Sequence, residues 1–272
     1  IFKKCFFGHV LITGYSSNQS QSHLLLAFNK YQIEEPRQFS HDDFIFLRSI
    51  TEFHSVYFCI GNQQIYLIQK YQDKKDYENA QVIHKTLTLR SPFHHCFYGT
   101  VSFPDNSMNL AYDYIKGQLL DQFPHKNAPK FEKLSLLNDL ISGIAELHLN
   151  KLLFRDLKFT DFYISDSNCG FLINFNRVRP FNDCNDFARK TYMNNPYVAI
   201  ELTRGGTCTQ FADIYSIGIM MYVILTCEIP HSFKKLPHLP AEFQFLTDLY
   251  EKCLYPIPSE RPVALNVLNL FY

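Results

Sequence analysis

Between residues 44 and 72 apolar and polar positions follow a β-like pattern. Phe44, Ile45, Phe46 and Leu47 open a strand, residues 55–60 give a second, and residues 65–71 a third. Gly61-Asn62 supplies the turn between the last two. A polar run over 73–79 then leads to Val82, Ile83 and Leu87, a short helical pattern. Two more strands are predicted over 97–103 and 108–115, joined by Pro104-Asp105-Asn106. The second half of the chain changes period. Leu134, Leu137, Ile141, Ile144 and Leu147 recur in steps of three and four, which is one apolar stripe of a helix. Residues 214–226 are apolar nearly all round and predict a buried helix, and 243–254 and 263–270 predict two more. Pro256, Pro258 and Pro262 interrupt the chain between those two. A small sheet with one helix, followed by a larger helical part, is an α+β arrangement.

Residues 1–42 show no comparable pattern. They contain a Ser/Gln-rich stretch at 16–22 that reads as a loop, and they are expected to be an N-terminal extension. The apolar run 6–12 is far too short for a bilayer, which needs about 20 residues. Because the sequence starts at Ile1, a segment upstream of it is compatible with the pattern.

Charge narrows the function. The 272 residues carry 26 basic and 26 acidic side chains, a formal net charge of zero. That argues against nucleic acid, whose phosphates call for a cationic surface. The eight cysteines are scattered and none forms a C-x-x-C pair, so reduced thiols in an intracellular, cytoplasmic setting are expected. His94, His95 and Cys96 are adjacent, but no second ligand pair stands at zinc spacing. They read as a strand-edge pair beside a buried thiol.

The segment Leu152-Leu153-Phe154-Arg155-Asp156-Leu157-Lys158-Phe159-Thr160-Asp161 resembles the catalytic loop of eukaryotic protein kinases, H-R-D-L-K-x-x-N. Further similarities follow in the same order. Asn174-Phe175-Asn176 stands where that family has D-F-G, and Ala199-Ile200-Glu201 where it has A-P-E. Asp213 and Gly218 resemble its D-x-W-S-x-G helix start, and Cys253 to Pro262 its C-x-x-x-P-x-x-R-P ending. The resemblance covers about residues 43–272. It implies a bilobal protein-kinase fold: an N-lobe over 43–115, built of antiparallel strands and one helix, and a helical C-lobe over 116–272.

The resemblance also implies roles. Asp156 matches the base that accepts the substrate hydroxyl proton, and Lys158 the pattern of serine/threonine-directed members. Asp161 and Asn174 fall at the two magnesium positions, with carboxylate and amide exchanged relative to the family. Tyr112 stands at the gatekeeper position, and Asp113 to Ile115 could offer backbone hydrogen bonds to a purine. The lysine that clamps ATP phosphates corresponds to Lys70 or to Gln69; pleating allows one of them inward. If Lys70 faces in, Glu78 is its expected partner. Thr191 and Tyr192 are candidate phosphorylation sites that Arg155 could pair, and Asn194 replaces a threonine that contacts the catalytic aspartate. Glu201 with Arg261 is expected as a buried ion pair, and Asp213 as an acceptor for catalytic-loop amides.

The departures point one way. The phosphate-covering loop, residues 49–56, has lost every glycine of G-x-G-x-x-G and gained Glu52. Phe154 replaces a histidine and Asn174 an aspartate. The expectation is therefore a pseudokinase that works as a scaffold or allosteric module for protein partners, with ATP and Mg2+ binding weak or absent. The alternative is an active serine/threonine kinase that uses the exchanged Asp161/Asn174 metal site.

Overall fold

The computed structural model describes residues 6–7, 10–11, 36–87, 91–120, 128–183, 195–230 and 238–269, apart from the side chains of Phe6, Phe7, Val10, Leu11 and Lys85. The loop expected at 16–22, Thr191, Tyr192 and Asn194 lie outside the described residues. The chain divides into two compact units, residues 1–116 and 117–272.

The first unit contains a two-stranded antiparallel ladder, β1 (Phe6–Phe7) with β2 (Val10–Leu11). Its main sheet has six strands: β3 (Arg37–Ser40), β4 (Phe44–Ser49), β5 (His54–Cys59), β6 (Gln64–Tyr71), β7 (Phe97–Ser102) and β8 (Met108–Asp113). The spatial order is β3-β7-β8-β6-β5-β4. Five strands are antiparallel, as expected. The difference is β3, which pairs parallel with β7, Arg37 opposite Gly99. The expected extension is thus part of the sheet from Arg37 onward. Gly99 permits this, because a Cβ there would stand 1.9 Å from the Arg37 carbonyl oxygen.

Helix α1 (Lys74–Thr86) includes the polar run taken from the sequence as a lead-in. Asp73 caps it, its carboxylate accepting from the Asp76 amide at 3.0 Å. Both faces of the sheet are covered. Phe39, Phe44, Cys59, Tyr66, Ile68, Val101 and Ala111 form one apolar cluster. Val56, Leu67, Tyr71, Leu110 and Tyr112 form the other, with Ala80 of α1. This explains why Tyr66, Leu67 and Ile68 of β6 are apolar in succession and do not simply alternate.

The second unit contains a small sheet ordered β12 (Gly170–Leu172), β11 (Phe162–Ser165), β9 (Gly117–Leu119). A short ladder joins β10 (Leu152–Leu153) to β13 (Arg179–Pro180). The helices are α2 (Lys130–Leu149), α3 (Ile200–Thr203), α4 (Gln210–Thr226), α5 (Thr247–Cys253) and α6 (Ala264–Asn269). Of the predicted stripe, Leu137, Ile141, Ile144 and Leu147 are buried and Leu134 is half-buried on α2, which packs on α4, α6 and β12. Helix α4 is buried from Ala212 to Leu225. Among the described residues no helix is long and apolar enough to cross a membrane. Cys59, Cys96, Cys208, Cys227 and Cys253 form no disulfide. Cys169 is disulfide-bonded, which departs from the expectation of reduced thiols throughout.

Candidate functional site

The first unit holds the residues expected to meet a nucleotide. In β6 the pleat sends Lys70 to the face of Tyr66 and Ile68, and Gln69 to the helix-side face of Leu67 and Tyr71. Lys70 ends in solvent, half exposed, with Nζ 3.1 Å from Asp105 Oδ2. Of the two candidates for the lysine slot, Gln69 is the buried one, 7% exposed, and Lys70 points to the opposite face. Glu78 is not its partner either. It is an exposed residue of α1, 3.7 Å from Lys74.

The loop after β4 is closed on itself. The amides of Ile50 and Thr51 both donate to the His54 carbonyl, at 2.8 and 3.1 Å. Those of Phe53 and His54 donate to Thr51 Oγ1, at 3.2 and 3.1 Å. A loop that cradles phosphate presents such amides outward. Glu52 is exposed at its tip.

Tyr112 is buried, and its hydroxyl contacts Tyr71 and His84, each at 3.1 Å. The Asp113 amide donates to the Cys96 carbonyl at 2.9 Å, while its carboxylate accepts from the Cys96 amide at 2.6 Å. The Asp113 N–H is thus already used. Tyr114 accepts a hydrogen bond from Arg48 Nη2 at 2.6 Å, and Ile115 follows half-buried. His94 and His95 are buried, whereas the Cys96 thiol is only half-buried.

The second unit holds the catalytic-loop motif. Asp213, fully buried, accepts from the amides of Phe154 at 2.8 Å and Arg155 at 2.7 Å, and contacts His148 Nε2 at 2.9 Å. These bonds hold Arg155 in a left-handed conformation, φ 76°, costly for a residue with a Cβ. Phe154, in the family's histidine position, packs on Phe175 at 6.0 Å. The packing role of that position survives the substitution.

Asp156 and Lys158 sit together, Nζ to Oδ2 at 3.5 Å. Asp156 Oδ1 is buried and takes no hydrogen bond. Asp161 and Asn174 are also brought together, but as a closed pair. Asn174 Nδ2 donates to Asp161 Oδ1 at 2.8 Å, and the Lys158 amide donates to Oδ2 at 3.1 Å. Burial pushes the Asp161 carboxyl up to about 7, against the opposing pull of Lys158 and Asn174. Magnesium requires charged oxygens facing it. Here one carboxylate is already bonded on both oxygens and the amide turns its N–H2 toward it, so these residues do not fit the ion.

The structural anchors are intact. Arg261 meets Glu201 in a bidentate pair, 2.7 and 2.8 Å, and donates to the carbonyls of Tyr255 and Phe211.

Three features escaped the sequence. One is the loop-closing Thr51 hydroxyl. Another is Arg48 bonding to Tyr114. The third is the buried chain of polar side chains through Gln69, Tyr71, Tyr112 and His84. Polar residues at inward strand positions, Gln69 above all, were the available signal.

The protein kinase domain family matches residues 51–272. Serine/threonine-protein kinase fray1 of Dictyostelium discoideum is 26% identical over 223 residues, covering 72% of this chain and 39% of that protein. Serine/threonine-protein kinase STY17 of Arabidopsis thaliana is 27% identical over 191 residues, 64% of this chain and 33% of its own length. Serine/threonine-protein kinase PrkC of Bacillus subtilis (strain 168) is 26% identical over 146 residues, 51% and 22% respectively. The chain spans well under half the length of each of these relatives.

Proposed function

The chain belongs to the protein kinase family, and on that premise we propose that it is a pseudokinase: a kinase-like signalling scaffold or allosteric module for protein partners, with weak or no phosphotransfer. Weak or absent binding of ATP and magnesium is part of the proposal. The observation that carries it is the neutral slot at Gln69 beside a loop whose amides are turned inward. Phosphoryl transfer is largely positioning and charge stabilisation, so losing the cation, the cradle and a charged metal ligand together removes several contributions to rate. The unfit Asp161–Asn174 pair supports the same reading.

The active serine/threonine kinase remains a second reading because one observation favours it. Asp156 keeps a buried, unbonded oxygen beside Lys158, the arrangement a general base needs. Two measurements separate them. In a thermal shift assay, millimolar ATP with magnesium should leave the melting temperature unchanged. In a phosphotransfer assay, wild type and Asp156→Ala should be indistinguishable. Transfer by wild type that vanishes in Asp156→Ala, with a magnesium-dependent shift lost in Asp161→Ala, would establish the second reading.

A further inference from the structure

The helix-side face of the six-stranded sheet buries a line of polar side chains whose hydrogen bonds have a fixed direction. The hydroxyl of Tyr71 donates to Gln69 Oε1 at 3.1 Å. Its single proton is thereby used. The 3.1 Å contact between Tyr71 and Tyr112 then needs Tyr112 as donor. With its own proton committed, Tyr112 can only accept across the 3.1 Å contact with His84 Nε2. His84 must therefore carry a proton on Nε2. At the other end Gln69 bonds the His54 side chain. His54 Nδ1 lies 3.0 Å from Thr51 Oγ1, the atom that receives two loop amides.

We propose that His84, Tyr112, Tyr71, Gln69 and His54 act as one neutral hydrogen-bonded relay that ties helix α1 to the loop at residues 50–54, so that the two segments open together. The relay visits α1, β8, β6 and β5 in turn and needs no ion pair and no nucleotide. It goes beyond the proposed function and stands whether or not ATP binds.

The surroundings fit a neutral relay. The titratable groups facing it are Asp76 and Tyr77 of α1 and His94 and His95 from the segment before β7. Burial, reinforced by those two histidines, holds His84 down to about 3. Burial likewise lowers His95 to about 3 and His54 to about 4, and raises Tyr71 and Tyr112. Every member is uncharged at neutral pH. Buried networks of this kind are cooperative, and cutting one link leaves its neighbours unsatisfied.

Native-state hydrogen exchange on the full chain tests this. Tyr112→Phe deletes one hydroxyl and two bonds while keeping the ring. It should lower protection of the α1 amides and of the Ile50 and Thr51 amides by a common factor, about tenfold. Lys70→Ala, on the opposite face, should change neither segment. Loss of protection in one segment alone, or in neither, overturns the relay. Should Tyr112→Phe fail to fold, Tyr71→Phe cuts the next link with the same expected outcome. Wild type supplies an independent arm: on going from pH 7 to pH 5, α1 and the loop should lose protection ahead of the β3–β7 edge. A uniform loss across the sheet, or none, counts against the proposal.

Discussion

Gln69 and Lys70 are neighbours, and the pleat of β6 gives them opposite fates. Lys70 reaches solvent and an exposed carboxylate, so Lys70→Ala should change stability by no more than about 0.5 kcal/mol, read from denaturant midpoints. Gln69→Lys should not rebuild a phosphate clamp. It would place an ammonium among Tyr71, His54 and Tyr112, and the melting temperature should fall. The histidines make a second prediction. His84 and His95 are held near 3, below the ordinary 6.5, so the unfolded chain binds protons that the folded one excludes. Their contribution to stability is full above about pH 6.5 and declines as pH falls toward 3. Melting temperature should therefore drop between pH 7 and pH 4. A smaller drop in His84→Gln would identify the residue, and an equal drop would exonerate it. None of this was legible at the level of single residues. Alternation says that one of Gln69 and Lys70 faces in, but both are polar and neither marks its own face.

Elements were legible to the extent that one side of them is apolar. The stripe of α2 and the all-round burial of α4 were plain in the sequence, since packing against neighbours is what those patterns encode. The first half of α1 was hidden for the opposite reason. Lys74, Lys75 and Glu78 are exposed, so the run looks like a loop until Asp73 is recognised as its cap. The parallel strand β3 was hidden too, because three of its four residues are exposed and only Phe39 points into the core. Gly99→Ala tests that strand: its Cβ would collide with the Arg37 backbone, so β3 should detach and Phe39 lose its cover. Proteolysis at residues 37–42 should quicken in the variant, and unchanged resistance would show that the sheet adjusts instead.

At the scale of the molecule, the two units differ in how openly the sequence declares them. The second is marked by motifs whose anchors touch one another: Asp213 with the catalytic-loop amides, Glu201 with Arg261. Those residues preserve the fold irrespective of chemistry. Arg261→Met should cost about 3–5 kcal/mol, because Glu201 is left without its partner, whereas Asp156→Ala should be nearly silent in stability. The relay of the first unit draws on positions 54, 69, 71, 84 and 112, spread too widely for any local motif to reveal them.

The family match begins at residue 51, yet the main sheet begins at Arg37. A fragment trimmed to the family boundary would lack β3 and β4, one from each rim of the sheet. It would uncover Val101 and Cys59 and leave two raw strand edges open to neighbouring molecules. Anyone cutting this gene by homology alone should expect precipitate, and a start placed before residue 36 should cure it.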